Sequence, residues 1–176
     1  PNIDFIAADM GLVEANYAVI GDQETRQDVI LKDALAEVSA DYAICVIDNP
    51  PDINMSVFNA LACTDDVIIV TLLEPDSIEG IRKMHDQITD VQQFNPHLSI
   101  KGVLVNQYMA YPEAIELGKE IEREGFPLFQ SRISYASPLA KRHILTAARD
   151  RKSIFEVCPH CRVARDVLRF AEELVQ

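Results

Sequence analysis

The chain has 176 residues, of which 48% are hydrophobic and 25% charged, and a formal net charge of −12. That balance excludes a disordered or fibrous chain, and the length suits a single globular domain with a substantial core. No apolar run reaches the ~18 residues of a membrane span, and the first twenty residues lack the regions of a signal peptide, so a cytoplasmic protein with no membrane contact is expected.

In chain order, Ile3–Ala8 reads as a weak strand, and Leu31, Leu35 and Val38 recur at i, i+4 and i+7 as the apolar stripe of a helix. Ala43–Ile47, Val67–Leu73 and Ile100–Val105 are short continuous apolar runs, the pattern of strands buried on both faces. Asp76 and Glu79 have capping-box spacing ahead of a helix whose stripe is Ile81, Met84, Ile88 and Val91, and Asn95-Pro96 must end it. Pro112 suits the first turn of the next helix and Gly125 its C′ position, with Glu113, Glu116, Glu120 and Glu124 on a solvated face. A weak strand is expected at Pro127–Gln130, a helix opened by Ser137-Pro138, and a last helix with Val163, Val167, Ala171 and Leu174 inward. With no repeat, linker or low-complexity tract, residues 1–176 read as one α/β domain: a mostly parallel sheet with helices on both faces and right-handed crossovers.

Charge is unevenly spread. Residues 1–125 carry 7 Lys or Arg against 23 Asp or Glu, while residues 126–176 carry 9 against 5 and are net positive. A protein this acidic does not grip nucleic acid over its whole surface, so the late basic residues are the candidate face for an anionic partner. Cys158-Pro159-His160-Cys161 offers three of the four ligands a structural zinc needs and stands outside a strand-to-helix redox context, so it reads as a connecting loop. The four histidines are dispersed, and no hydrolase triad can be argued from them.

Ligands of parallel sheets bind outside the carboxyl ends of the strands. After Ile47 comes Asp48-Asn49-Pro50-Pro51-Asp52. Asp48 either projects its carboxylate into the ligand crevice, where it could orient water on a phosphate-bound Mg²⁺, or belongs to a turn that merely stops a strand. After Val105 comes Asn106, whose amide offers a donor and an acceptor suited to a purine edge but taken alone reads better as an ordinary turn residue.

The run DYAICVIDNPPDINMSVFNA, residues 41–60, resembles the Walker B region of the ParA/MinD partition ATPases, with its strand ending in Asp, its Pro-Pro turn and its Asn-Ala helix. ACTDDVIIV (62–70) resembles the family's next strand, and NPHLSIKGVLVNQY (95–108) the segment leading to its adenine-contacting asparagine. The Asp-x-Pro-Pro turn and the lack of a closing membrane-targeting amphipathic helix resemble the ParA branch more than MinD. The resemblance implies a P-loop NTPase-like fold and an ATP- and Mg-dependent homodimer that binds DNA without sequence preference, with a ParB-like partner, at the nucleoid. It implies that Asp48 holds Mg²⁺ through water and is catalytic, that Asn106 reads adenine, that Asn49–Asp52 senses the γ-phosphate, and that Lys141, Arg142 and Arg123 meet DNA.

One departure stands beside the match. The family's Gly-rich, two-lysine phosphate loop is absent: none of the six glycines lies in a Gly-Lys-Ser/Thr context. The chain is therefore expected to be the C-terminal portion of a longer ATPase, with no nucleotide bound by the chain alone. The alternative is a non-catalytic interaction module that binds a partner protein but not nucleotide.

Overall fold

Local signals set most element boundaries. The computed structural model describes residues 3–9, 11–21, 26–50 and 54–176. In order the elements are α1 (Gly11–Gly21), α2 (Ile30–Ala36), a 3₁₀ turn (Ser39–Asp41), α3 (Met55–Ala62), β1 (Asp66–Thr71) and α4 (Ser77–Val91). Then follow β2 (Ser99–Tyr108), α5 (Pro112–Arg123), β3 (Leu128–Ser134), α6 (Pro138–Asp150), α7 (Ile154–Val157) and α8 (Arg162–Leu174). The expected strand–helix alternation is present. The sheet has the order β1-β2-β3, and β2 runs parallel to β3.

Two expected strands are absent. Ile3–Ala8 and Ala43–Ile47 follow an irregular path, with Phe5 87% and Val46 84% exposed. A strand needs a neighbour to receive its N–H and C=O groups, and among the described residues none is hydrogen-bonded in a sheet with either segment. The Tyr42 hydroxyl, just before the second segment, donates a hydrogen bond to the Asp4 carboxylate of the first, which pushes the Tyr42 phenol above its ordinary range.

The chain forms two compact units. The first comprises residues 1–66 and 87–99. Its core gathers α3 with the end of α4, where Ala60 and Ile88 are each 1% exposed. Buried Asn59 ties α2 to α3: its amide donates to the carbonyls of Gln27 (2.7 Å) and Met55 (3.0 Å), and its oxygen accepts from Leu31 N–H (3.3 Å). Asn95 caps the other end of α3 by donating to Leu61 (3.0 Å) and Thr64 (2.6 Å) carbonyls. Each amide pairs with backbone groups at a helix end, and a net hydrogen bond of this kind contributes about 0.5–1.5 kcal/mol.

The second unit comprises residues 67–86 and 100–176 and contains the sheet. Val103, Val105 and Ile121 are essentially fully buried, as the continuous apolar runs and the α5 stripe require. Gly125, at φ +90°, ends α5 in a Schellman motif: Phe126 N–H bonds Ile121 carbonyl (3.3 Å) and Gly125 N–H bonds Glu122 carbonyl (3.0 Å). Ser137 caps α6 by accepting from Ala140 N–H at 3.2 Å. On α5 the glutamates are solvated and paired as expected, Glu116 with Arg123 (2.8 Å) and Lys119 (3.4 Å).

The inward face of α8 differs from the expected stripe. Ala171 is exposed, whereas Ala164 and Asp166 are buried. Asp166 accepts from Ser134 N–H (3.0 Å), and Glu173 accepts from the N–H groups of Gln130 (2.7 Å) and Ser131 (2.8 Å). These carboxylates answer strand donors of β3, so polar residues rather than apolar ones help set the rotation of the helix.

Candidate functional site

The carboxyl ends of β2 and β3 carry the densest group of chemically capable side chains in the second unit. The ladder pairs Val103 with Leu128, Val105 with Arg132 and Tyr108 with Ser134. Three residues of β2 therefore span the same step as two of β3, which makes a bulge at Asn106–Gln107. Gln107 takes the left-handed conformation at φ +50°, and its N–H donates to Asn106 Oδ1 at 2.9 Å. The bulge releases half-buried Asn106 from strict alternation, and with Oδ1 occupied, its amide NH₂ is the donor it offers to a ligand.

Two cations are stacked on aromatic rings at the same end of the sheet. Arg132 lies 4.7 Å from the centre of the Tyr108 ring, and Lys141 lies 4.3 Å from that of Tyr135 while donating to its hydroxyl at 2.6 Å. Tyr135 N–H in turn bonds the Tyr108 carbonyl at 3.0 Å. Such stacks hold a cation in one orientation at about 0.5–1 kcal/mol each in exposed positions. Tyr111 at the start of α5 donates to the Leu73 carbonyl (3.2 Å), which fixes the segment after β1.

The residues singled out from sequence fall in both units. Asp48 is in the first, exposed on an irregular segment, and makes no recorded hydrogen bond or ion pair with the described residues. Pro51 and Asp52 of the adjoining turn lie outside the described residues. Asn106, Lys141, Arg142 and Arg123 are in the second. Lys141 is exposed and held by Tyr135, Arg142 is exposed one residue along α6, and Arg123 is committed to Glu116. Arg123 and Lys119, in that order, hold the Glu116 carboxyl below its ordinary range.

Sequence reasoning passed over Tyr108 and Tyr135. The available signal was an aromatic residue at or just past the end of two successive strands, but Tyr108 has no basic residue near it in the chain, and only strand register brings Arg132 to its ring. No group of three or more His, Cys, Asp or Glu among the described residues is placed to hold a metal ion by itself. An open depression of about 780 Å³ in the first unit is lined by Arg26, Asp28, Lys32 and Asp33, of which Arg26 and Asp28 are paired at 2.7 Å. No helix among the described residues is long and apolar enough to cross a membrane.

The AAA domain family matches residues 1–100. An uncharacterized protein of Mycobacterium tuberculosis is 33% identical over 108 residues, 61% of this chain and 33% of its own length. Sporulation initiation inhibitor protein Soj of Bacillus subtilis is 29% identical over 175 residues, 98% of this chain and 67% of Soj. Chromosome partitioning protein ParA of Caulobacter vibrioides is 32% identical over 111 residues, 61% of this chain and 41% of that protein. The chain thus spans about a third to two thirds of the length of these relatives.

Among solved structures, cobyrinic acid a,c-diamide synthase from Mycobacterium smegmatis, with bound ADP and magnesium, superposes with a TM-score of 0.67 at 24% identity, over 82% of this chain and 62% of that one. A plasmid partition protein from Borrelia burgdorferi gives 0.54 at 22% identity, over 77% and 58%. These likenesses establish the fold as P-loop NTPase-like.

Proposed function

The chain belongs to the ParA-like AAA domain family, and on that premise we propose that it acts as part of a DNA-partitioning ATPase. The observation that carries the reading is the bulge at Asn106–Gln107, which ends a buried parallel strand with an amide where sheets of this class receive ligands. ParA and the plasmid partition protein support the process by their names, and the synthase with ADP and magnesium supports the ligand.

Side chains of this chain fit part of Mg-ATP. Asn106 supplies a donor for a purine nitrogen, and Asp48 is an exposed carboxylate with no hydrogen-bond or ion-pair partner among the described residues, as contact through metal-held water requires. The triphosphate finds no Gly-rich backbone cradle here: the positive-φ glycine among the described residues, Gly125, is spent on capping α5. When bound, Mg-ATP supplies the phosphoanhydride bond whose hydrolysis resets the partition cycle. In this reading Asn106 orients the base, Asp48 accepts a hydrogen bond from metal-held water, and the turn from Asn49 to Asp52 senses the γ-phosphate. Lys141, Arg142 and Arg123 neutralise DNA phosphates without reading sequence. The working form is a homodimer at the nucleoid, in the cytoplasm, that answers to a ParB-like protein.

A second reading, a non-catalytic module that binds a partner protein, is favoured by the lack of a Gly-Lys-Ser/Thr triplet in these 176 residues. Titration calorimetry separates the two. The chain by itself is expected to show no micromolar affinity for Mg-ATP, and a protein in which a Gly-rich lysine loop precedes it is expected to bind and hydrolyse ATP. In that longer protein Asp48→Ala abolishes turnover without loss of fold; undiminished turnover removes Asp48 from the site, and no ATP binding by the longer protein leaves the interaction module.

A further inference from the structure

The turn that joins α7 to α8 contains a pair of thiols that the partition reading does not use. Cys158 closes α7 and Cys161 is the N-cap of α8. Cys161 N–H donates to the Cys158 carbonyl at 3.1 Å, the i to i+3 bond of a β-turn. A β-turn holds its end Cα atoms within about 7 Å, and disulfides bridge Cα separations of about 4.4–6.8 Å. Both residues are half-buried rather than sealed from solvent, so the turn holds two accessible thiols within bridging reach of each other. The other cysteines are placed differently. Cys45 is exposed on an irregular segment, and the Cys63 thiol donates to the Ala60 carbonyl at 3.3 Å.

We propose that Cys158 and Cys161 form a reversible dithiol–disulfide site that exchanges with a low-molecular-weight disulfide such as oxidised glutathione. One protein thiolate attacks a sulfur of the small disulfide; that S–S bond breaks, one small thiolate leaves, and a mixed disulfide remains on the protein. The second protein thiolate attacks the protein sulfur of the mixed disulfide and expels the other small thiolate. The two cysteines are oxidised by two electrons, the small disulfide is reduced to two thiols, and the two cysteine protons pass through solvent to the expelled thiolates. Cys161 is the N-cap of α8, where the free N–H groups of the helix's first turn favour a thiolate, so Cys161 makes the first attack and Cys158 resolves.

The bond would join two parts of the second unit that are otherwise linked at this point by one turn. Upstream, α7 packs on α6. Downstream, α8 is fastened to β3 through Asp166, Glu173 and the Phe129–Phe170 ring contact. Oxidation therefore clamps the α6–α7 pair to the strand-bound helix.

The test equilibrates the whole chain in glutathione buffers of graded oxidised-to-reduced ratio, quenches with acid and alkylating reagent, and maps peptides by mass. The expected result is one peptide containing both cysteines that loses two hydrogens at a midpoint within the series, recovers them on reduction, and leaves Cys45 and Cys63 alkylated. Cys158→Ser is expected to stop at a glutathione adduct on Cys161. Phenylarsine oxide, which bridges adjacent thiols, is expected to bind the reduced protein one to one and to lose that binding in Cys161→Ser. The arsenical measurement on the unsubstituted chain stands even if a variant misfolds. Full alkylation of both thiols at every ratio, or a bridge that instead uses Cys45, Cys63 or a second molecule, overturns the proposal.

Discussion

Replacing Gly102 by alanine tests how closely β2 and β3 must approach beneath α8. A Cβ at position 102 would stand 2.7 Å from Cε2, 3.0 Å from Cδ2 and 3.1 Å from Cζ of Phe129, distances at which one group must move. Phe129 is only 8% exposed, and its ring meets Phe170 edge-on with centroids 5.0 Å apart at 89°. The ring has little room to retreat, because α8 is held to β3 on either side of Phe170 by Asp166 and Glu173. Overpacking of this kind costs about 1–3 kcal/mol, and disturbing an edge-to-face ring pair adds up to about 1.5 kcal/mol. Loss of glycine's freedom in the unfolded chain returns about 0.5–1 kcal/mol. The net expectation is a loss of about 1–3 kcal/mol, read as a lower midpoint in urea unfolding followed by circular dichroism. With a slope near 2 kcal/mol per molar, the midpoint falls by roughly 0.5–1.5 M. In the Gly102→Ala background Phe129→Leu is expected to cost less than it does alone, since the smaller side chain relieves the clash. Gly80→Ala is the control, because nothing lies within 4 Å of its Cβ and the helix interior gains up to about 1 kcal/mol. A Gly102→Ala midpoint at or above that of the parent, at unchanged slope, refutes the reasoning.

Three further expectations rest on other observations. The Glu173 carboxyl is pushed up by burial but held net below its ordinary range by hydrogen bonds from Ser131 and Gln130, so its contribution is complete above the unfolded carboxyl value and lost as pH falls through the depressed one; Glu173→Gln should cost about 1–2 kcal/mol at neutral pH and flatten the acid limb of a stability–pH curve, and an identical acid limb removes this account. Arg151 ends α6 in the left-handed region at φ +52°, so Arg151→Gly should gain about 0.5–1 kcal/mol in the same urea assay, and a loss would show that the arginine side chain matters more than its backbone. If Lys141 and Arg142 neutralise phosphates, their joint replacement by alanine should reduce the log–log salt slope of DNA binding by about 1.8, equally for all sequences, and an unchanged slope puts the DNA surface elsewhere.

Much of the second unit was legible along the chain because its signals are local. Continuous apolar runs mark β1 and β2, although only β2 is covered on both faces, since in β1 Ile69 is buried but Val70 is 59% exposed, and Ser137 before Pro138 and Gly125 after α5 act on backbone groups within one turn of themselves. The same reasoning placed Ala43–Ile47 in a sheet and was wrong about the described structure, because an apolar run records a demand for burial while a strand also requires a partner, and the partner is not a property of the run. The inward face of α8 was misread for a related reason: a count of apolar residues cannot register carboxylates that turn inward to meet strand N–H groups.

By itself, then, the sequence determined the α/β class, the family, the ends of α5 and α6 at Gly125 and Ser137, and the positions of Asp48 and Asn106 just after apolar runs, whereas Glu79, expected in a capping box with Asp76, pairs with Lys83 at 2.6 Å. Tertiary structure decided the extra residue at Asn106–Gln107, the stacking of Arg132 on Tyr108, and the hold of α8 on β3. Each of these depends on which backbone groups pair across strands, and register between distant segments is settled by the joint burial of all of them.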